Sequence, residues 1–163
     1  MEPIAGYREL ASSMTVDEFV ERYADPFLVL DSSSLRAVDR RLAQGKTIDR
    51  LVLSGRIGAE GTLMVAQLAP RDPRERIVTV GITSECDITI DDASISKQHA
   101  FFDRSGDTWR VWDNDSAAGT FVNDKPVTFK TPQPLVPGDY ITLGSVDLTF
   151  LTSQLFYGLL TNT

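Results

Sequence analysis

This 163-residue chain holds one cysteine, Cys86, and one histidine, His99, and that shortage closes several routes to function. A single thiol forms no internal disulfide, and one thiol with one imidazole supplies no zinc tetrad. No metal and no cofactor is expected, and Cys86 reads as a buried residue at a strand edge. Long apolar runs are also missing. Nothing approaches the roughly 20 residues of a membrane helix, so no membrane partner is expected. Residues 1–9 have neither a basic start nor a following apolar stretch, which argues against a secretory signal and makes the cytoplasm the expected location. Positive charge is scarce, with 16 Lys and Arg against 23 Asp and Glu and a formal net charge of -7. Nucleic acid is therefore not an expected partner, because binding a phosphate backbone needs clustered cations.

A hydrophobic content of 42% with 24% charged residues is ordinary for a globular protein, and the length suits one domain with an appendage. The first part reads as helical. Thr15 and Glu18 form a capping box, Val16, Phe19, Val20 and Tyr23 share a face, and Asp25-Pro26 stops a helix predicted over 16–24. Phe27-Leu28-Val29-Leu30 is either a strand or a buried extended segment. Leu35, Val38 and Leu42 predict a second helix over 34–44 ending at Gly45. Two such short helices need a partner for their apolar faces and are expected to dock on the rest of the fold.

From Leu51 onward short runs of Val, Ile, Thr and Phe are cut by Gly, Pro, Asp and Asn, the pattern of an all-β domain. Strands are predicted over 62–68, 77–80, 87–90, 100–104, 109–113, 120–122, 140–143 and 146–151. Ser105-Gly106-Asp107 and Pro137-Gly138-Asp139 read as turns, and residues 69–76 as a charged surface loop. The fold class is mainly β, a two-sheet β-sandwich. The expected division is a helical N-terminal segment over 1–58, the β domain over 59–152, and a tail over 153–163 too apolar to be free, which packs back on the domain.

One constellation carries functional information. It comprises Gly81-Ile82-Thr83-Ser84, Asp87-Ile88-Thr89-Ile90, Ser96-Lys97-Gln98-His99, Asp113-Asn114-Asp115-Ser116-Ala117-Ala118-Gly119-Thr120-Phe121-Val122-Asn123, and the closing Pro137-Gly138-Asp139-Tyr140-Ile141-Thr142-Leu143-Gly144. In order and spacing these stations resemble the forkhead-associated (FHA) family over residues 62–151. In that family a Gly-Arg pair, a Ser-x-x-His turn and a Ser-Thr-Asn-Gly-Thr loop together bind phosphothreonine in a partner protein. The resemblance implies an FHA-type sandwich with a ligand surface of loops at one end, formed by Ile82, Thr83, Ser84, Ser96, Lys97, Ser116, Ala117 and Ala118. Gly81, His99 and Gly119 would frame those loops.

Two stations depart from the family. Ile82 stands where the family has its arginine and offers neither charge nor donor, and Ala117 and Ala118 replace the threonine and the asparagine. By residue type, Thr83, Ser84 and Lys125 could compensate in part. Over residues 62–151 eight Lys or Arg face thirteen Asp or Glu, so a phosphate there would rely on local donors. The departures favour a non-catalytic interaction module that binds its protein partner without phosphate, in signalling or assembly. The alternative is binding of a phosphothreonine-containing peptide through Ser96 and Lys97, with Ser96 donating its hydroxyl and Lys97 acting as a point charge.

Blander or more remote readings compete at several positions. Ser94-Ile95-Ser96-Lys97 has the Ser-x-x-Lys spacing of penicillin-recognising acyl transferases, but their Ser-Asp-Asn and Lys-Thr-Gly elements are missing, which leaves a serine-based enzyme a remote reading. Asp91, Asp92, Asp113 and Asp115 lack EF-hand spacing and read as loop caps. Trp109 and Trp112 lie an odd number of positions apart on one strand, so one is expected in the core and the other outside.

Overall fold

The computed structural model describes residues 1–30 and 63–161. The expected helix over 34–44, with Leu35, Val38 and Leu42, and the expected boundary at 58/59 lie outside the described residues. Two sheets form the expected sandwich. One has seven strands in the order β1 (Glu2–Pro3), β3 (Met64–Gln67), β2 (Phe27–Leu30), β12 (Val146–Leu151), β11 (Tyr140–Leu143), β8 (Thr120–Val122), β9 (Lys125–Val127). The other has five, in the order β10 (Gln133–Pro134), β7 (Thr108–Asp113), β6 (Ala100–Ser105), β4 (Ile77–Gly81), β5 (Ile88–Thr89). Among the described residues no helix is long and apolar enough to cross a membrane.

Alternation along the strands fills the space between the sheets. Val78 and Val80 of β4, Ala100 and Phe102 of β6, and Trp109 and Val111 of β7 point inward to meet Ile141, Leu143, Leu148 and Phe150 from the larger sheet. Trp109 therefore belongs to the core, while Trp112 is only half-buried on the outer face, where the Arg110 guanidinium lies 5.5 Å from its ring centre.

The larger sheet is covered on its other face as well. Helices α1 (Ala5–Ser12), α2 (Val16–Arg22) and α3 (Ser153–Thr161) bring Ala11, Phe19, Phe156, Leu159 and Leu160 onto Phe27, Val29, Val65 and Leu151. This second core explains why residues 27–30 are continuously apolar. As strand β2 they bury Leu28 between the sheets and Phe27 and Val29 under the helices, and a strand covered on both faces loses its polar alternation. Residues 153–161 form α3, which packs against α1 and α2. It is tied down by the Ser153 hydroxyl, which donates to the carbonyls of Tyr23 and Asp25.

The capping box forms as read, with Glu18 N–H donating to Thr15 Oγ1 at 3.3 Å and Thr15 N–H donating to Glu18 Oε2 at 2.7 Å. The apolar face of α2 is narrower than the spacing suggests. Phe19 is fully buried and Tyr23 half-buried, but Val20 is 37% exposed. One residue on from Phe19 is about 100° round the helix, and α2 meets its neighbours along the Phe19–Tyr23 line alone. The sequence reading missed α1, because its N-cap is Ile4 and makes no side-chain cap.

Candidate functional site

Strand direction sorts the loops into two ends. Strands β4 and β7 run toward one end and β8 runs away from it, so residues 82–87, 91–98 and 114–119 gather there, with the turn at Gly144-Ser145 beside them. The turns at 105–107, 123–124 and 135–139 lie at the opposite end. Asn123 marks that far end. Its side chain donates to Asp139 Oδ1 at 2.9 Å and accepts from Tyr140 N–H at 3.0 Å.

His99 is the hub of the loop end. It is fully buried. Its Nδ1 accepts from Ser96 N–H at 3.0 Å, so in the neutral ring the proton sits on Nε2, which donates to Gly119 O at 2.9 Å. Its own backbone continues the tie, since His99 N–H donates to Val80 O at 2.8 Å and His99 O accepts from Asn114 N–H at 3.0 Å. Both imidazole nitrogens are thus engaged by backbone groups, and neither reaches the Ser96 hydroxyl.

Ser96 links two loops. Its Oγ accepts from Ala117 N–H at 3.1 Å, an arrangement that leaves the hydroxyl proton free to donate. Lys97 is exposed beside it, while its carbonyl is held from below. Thr83 Oγ1 donates to that carbonyl at 3.1 Å and the Cys86 thiol at 3.3 Å. The Thr83 hydroxyl is therefore spent inside the frame. Gly81 is required at the same place, because a Cβ there would lie 2.1 Å from Lys97 O.

The 114–119 loop is organised by buried Asp113. Its Oδ1 accepts from the Ser116 hydroxyl at 2.5 Å and from the Thr120 hydroxyl at 2.7 Å, and its Oδ2 accepts from Ser116 N–H at 3.1 Å. Ser116 Oγ in turn accepts from Gly119 N–H at 3.0 Å. Ser116 thus serves the loop's own closure. Gly119 has φ +89°, a conformation that L side chains rarely adopt. Ala117 and Ala118 are exposed at the crest of the loop.

The remaining positions divide clearly. Ile82 is half-buried and packs against the main core, with its N–H donating to Ser96 O at 3.1 Å. Ser84 is exposed, and its carbonyl accepts from the Arg71 guanidinium at 2.8 Å. Lys125 is placed where it cannot help. It pairs with Val122 at the far end of the β8–β9 hairpin, whereas Val127 pairs with Thr120 at the loop end. Lys130, by contrast, lies toward the loop end, exposed in the tight turn closed by the Thr128–Thr131 bridge. Sequence reading overlooked both Lys130 and Arg71; only the strand register and the fold of the 69–76 loop bring them to this end.

Electrostatics at this end are dominated by carboxylates. Burial pushes the Asp87 carboxyl up, but donors from Arg71 and Thr79 and the Arg71 charge outweigh it and hold the group below its usual range. The contacts are Arg71 N–H at 2.8 Å, Thr79 N–H at 2.8 Å and the Thr79 hydroxyl at 2.9 Å. Asp92 is also lowered, chiefly by the Ser94 hydroxyl and then by Ser94 N–H, and acts as a loop cap. The Ser94 hydroxyl of the Ser-x-x-Lys spacing donates to Asp92 Oδ1 at 2.7 Å.

With this frame in view, residues 78–144 match the family model of the FHA domain. The chain contains an FHA domain. A stretch of 80 residues is 38% identical to an oxoglutarate dehydrogenase inhibitor of Corynebacterium jeikeium, covering 49% of this chain and 54% of that protein. A stretch of 105 residues is 32% identical to the glycogen accumulation regulator GarA of Mycobacterium tuberculosis, covering 58% of this chain and 63% of that protein. The chain thus spans little more than half the length of these curated relatives. In fold it is similar to the FHA domain of a hypothetical protein of Arabidopsis thaliana, with a TM-score of 0.51 and 19% identity over 78% of this chain and 86% of that one. The FHA loop frame of Gly81, Ser96, His99, Ser116 and Gly119 is thus held by backbone-directed bonds, while Ile82, Ala117 and Ala118 supply no polar side chain.

Proposed function

We propose that this chain is a non-catalytic protein-interaction module of the cytoplasm that grips its partner through the FHA loop end without depending on phosphate. The observation that carries this reading is Ile82. Where the family has a charged fork, this side chain packs against the main core, so both the charge and the donor are gone. Ala117 and Ala118 remove two more side-chain partners, and each lost hydrogen bond to a charged group is worth about 1.5–3 kcal/mol. Relatives named as an inhibitor and as a regulator suit a chain that acts by binding. A catalytic role for Ser96 is disfavoured, because both nitrogens of the nearby imidazole face backbone groups and, among the described residues, no general base reaches the hydroxyl.

One observation favours a second reading. Ser96 Oγ is fixed by Ala117 N–H with its proton free, and exposed Lys97 stands beside it, which would suit a phosphothreonine. Calorimetric titration against a randomised phosphothreonine peptide pool and its unphosphorylated twin separates the two. Equal heats from both pools are expected. Selective, tight binding of the phosphorylated pool that disappears in Ser96→Ala would overturn the phosphate-independent reading.

A further inference from the structure

The departures at the loop end leave more than a missing charge: they leave apolar surface. Ile82 is half-exposed, and Ala117 and Ala118 present methyl groups on the crest of their loop. Bonds already described join these positions, since Ile82 N–H donates to Ser96 O and Ser96 Oγ accepts from Ala117 N–H. The β8–β9 register extends the row. Val127 is paired with Thr120, the residue directly after Gly119, so the turn two residues further along carries Phe129 and Lys130 toward the end of the sandwich where the 114–119 loop lies. Phe129 is 59% exposed, and the Thr128–Thr131 bridge braces the turn beneath it.

Position makes Phe129 unusual. Among the described residues the other exposed large apolar side chains are Val20, Ile77, Val136 and Leu155, of which only Val136 matches its 59%. Val20 and Leu155 sit on the helices, Ile77 begins β4 at the far end, and Val136 lies in the far-end turn before Asp139. Phe129 alone stands at the recognition end. An aromatic ring held out on a braced turn is suited to anchor a partner, because it offers large contact area at small conformational cost.

Charge narrows the partner further. Across residues 82–98, 114–119 and 128–131 the carboxylates are Glu85, Asp87, Asp91, Asp92 and Asp115, and the cations are Lys97 and Lys130. Arg71 is added from outside these loops as a third cation, its backbone N–H donating to Asp87 and its guanidinium to the Ser84 carbonyl. Glu85, Asp91 and Asp115 are exposed. These described loops are net acidic, which repels a dianionic phosphate and attracts a basic segment.

The geometry points to an apolar anchor site on the FHA loop end, in which Phe129 with Ala117 and Ala118 receives an apolar side chain of an unphosphorylated partner segment flanked by Lys or Arg. This inference rests on the loop-end binding reading and adds the chemistry of the partner. Selection of the full chain against a displayed library of random unphosphorylated peptides tests it. Enriched peptides should carry Leu, Ile, Phe or Trp next to basic residues. A synthetic enriched peptide should lose about tenfold or more in affinity to Phe129→Ala, keep its affinity with Phe129→Leu, and be indifferent to Val136→Ala at the other end.

An unchanged urea midpoint checks that these surface variants fold. Enrichment of peptides without an apolar residue, or no enrichment at all, overturns the inference. If a peptide binds and Ala117→Asp abolishes binding while Phe129→Ala changes nothing, the anchor is wrong and the loop-end reading stands. If every loop-end variant binds as the wild type does and Trp112→Ala on the outer sheet face abolishes binding, both fail.

Discussion

Replacing His99 by alanine removes the bonds that hold two loops of the loop end to one another, and the structure sets the size of the loss. Ser96 N–H loses its acceptor at 3.0 Å; an unsatisfied, largely buried donor costs about 1–3 kcal/mol. Gly119 O loses the Nε2 donor but keeps Gly144 N–H at 2.9 Å, so this bond contributes only its net value of about 0.5–1.5 kcal/mol. Ser96 is half-buried, and water can relieve part of its penalty. The expected destabilisation is about 2–4 kcal/mol, or a fall in Tm of roughly 5–15 °C for a chain of this size. His99→Asn places an amide oxygen near the position of Nδ1 and should recover about half of the loss, because the Ser96 donor weighs more than the Gly119 bond. Urea and thermal unfolding followed by tryptophan fluorescence give the numbers, with buried Trp109 as a reporter. If His99→Ala keeps the stability of the wild type and loses partner binding alone, the hub reasoning is wrong and the imidazole touches ligand.

Two further outcomes follow from the same coordinates. Ile82→Arg combined with Ala117→Thr and Ala118→Asn should raise the ratio of phosphorylated to unphosphorylated peptide affinity about tenfold or more, since one charge-assisted bond regained is worth at least that. A folded triple variant with no gain, read by calorimetry, would show that the kept loop frame does not aim these side chains at phosphate. In the helical cap, burial and then the Glu2 charge push the Tyr7 phenol up to about 12. The folded state therefore holds the proton more tightly than the unfolded chain, whose tyrosine titrates near pH ~10. This contribution is full below about pH 10 and is lost as pH rises toward the folded value, so stability should fall across that window and Tyr7→Phe should flatten the fall. An equal alkaline fall in Tyr7→Phe, read from urea midpoints, would assign it elsewhere.

The strands of the sandwich were legible because alternation there is enforced on one face only. Residues 120–122, 140–143 and 146–151 match the observed strands residue for residue. The sequence did not disclose strands whose signals are overridden. Pro126 and Pro134 argue against sheet, yet both lie in edge strands, β9 and β10, where a missing N–H need face no partner. Glu2–Pro3 is only two residues long and carries no alternation to read. Strand β2 was ambiguous for the opposite reason, since burial on both faces erased its period.

The edge strand β9, which the sequence did not disclose, also decides which side chains reach the site. The positions that frame it, Gly81, Ser96, His99 and Gly119, were readable because each performs a backbone task that few residues can perform. A Cβ at Gly81 would meet Lys97 O, and only a ring with nitrogens on opposite sides bridges Ser96 N–H and Gly119 O. Cations carry no such constraint: composition says that a lysine exists, and pairing register decides which end of the molecule it reaches. With β9 unread, Lys125 could be named by type but not placed, and Phe129 and Lys130 were not singled out. Register alone sorts them, sending Lys125 to the end with Asn123 and turning Phe129 and Lys130 toward the opposite end, where the 114–119 loop lies. A family frame read from motif spacing thus fixes how the loops are held at one end, whereas the side chains that reach that end from the edge strand β9 and the turn after it are set by a register the motifs do not contain.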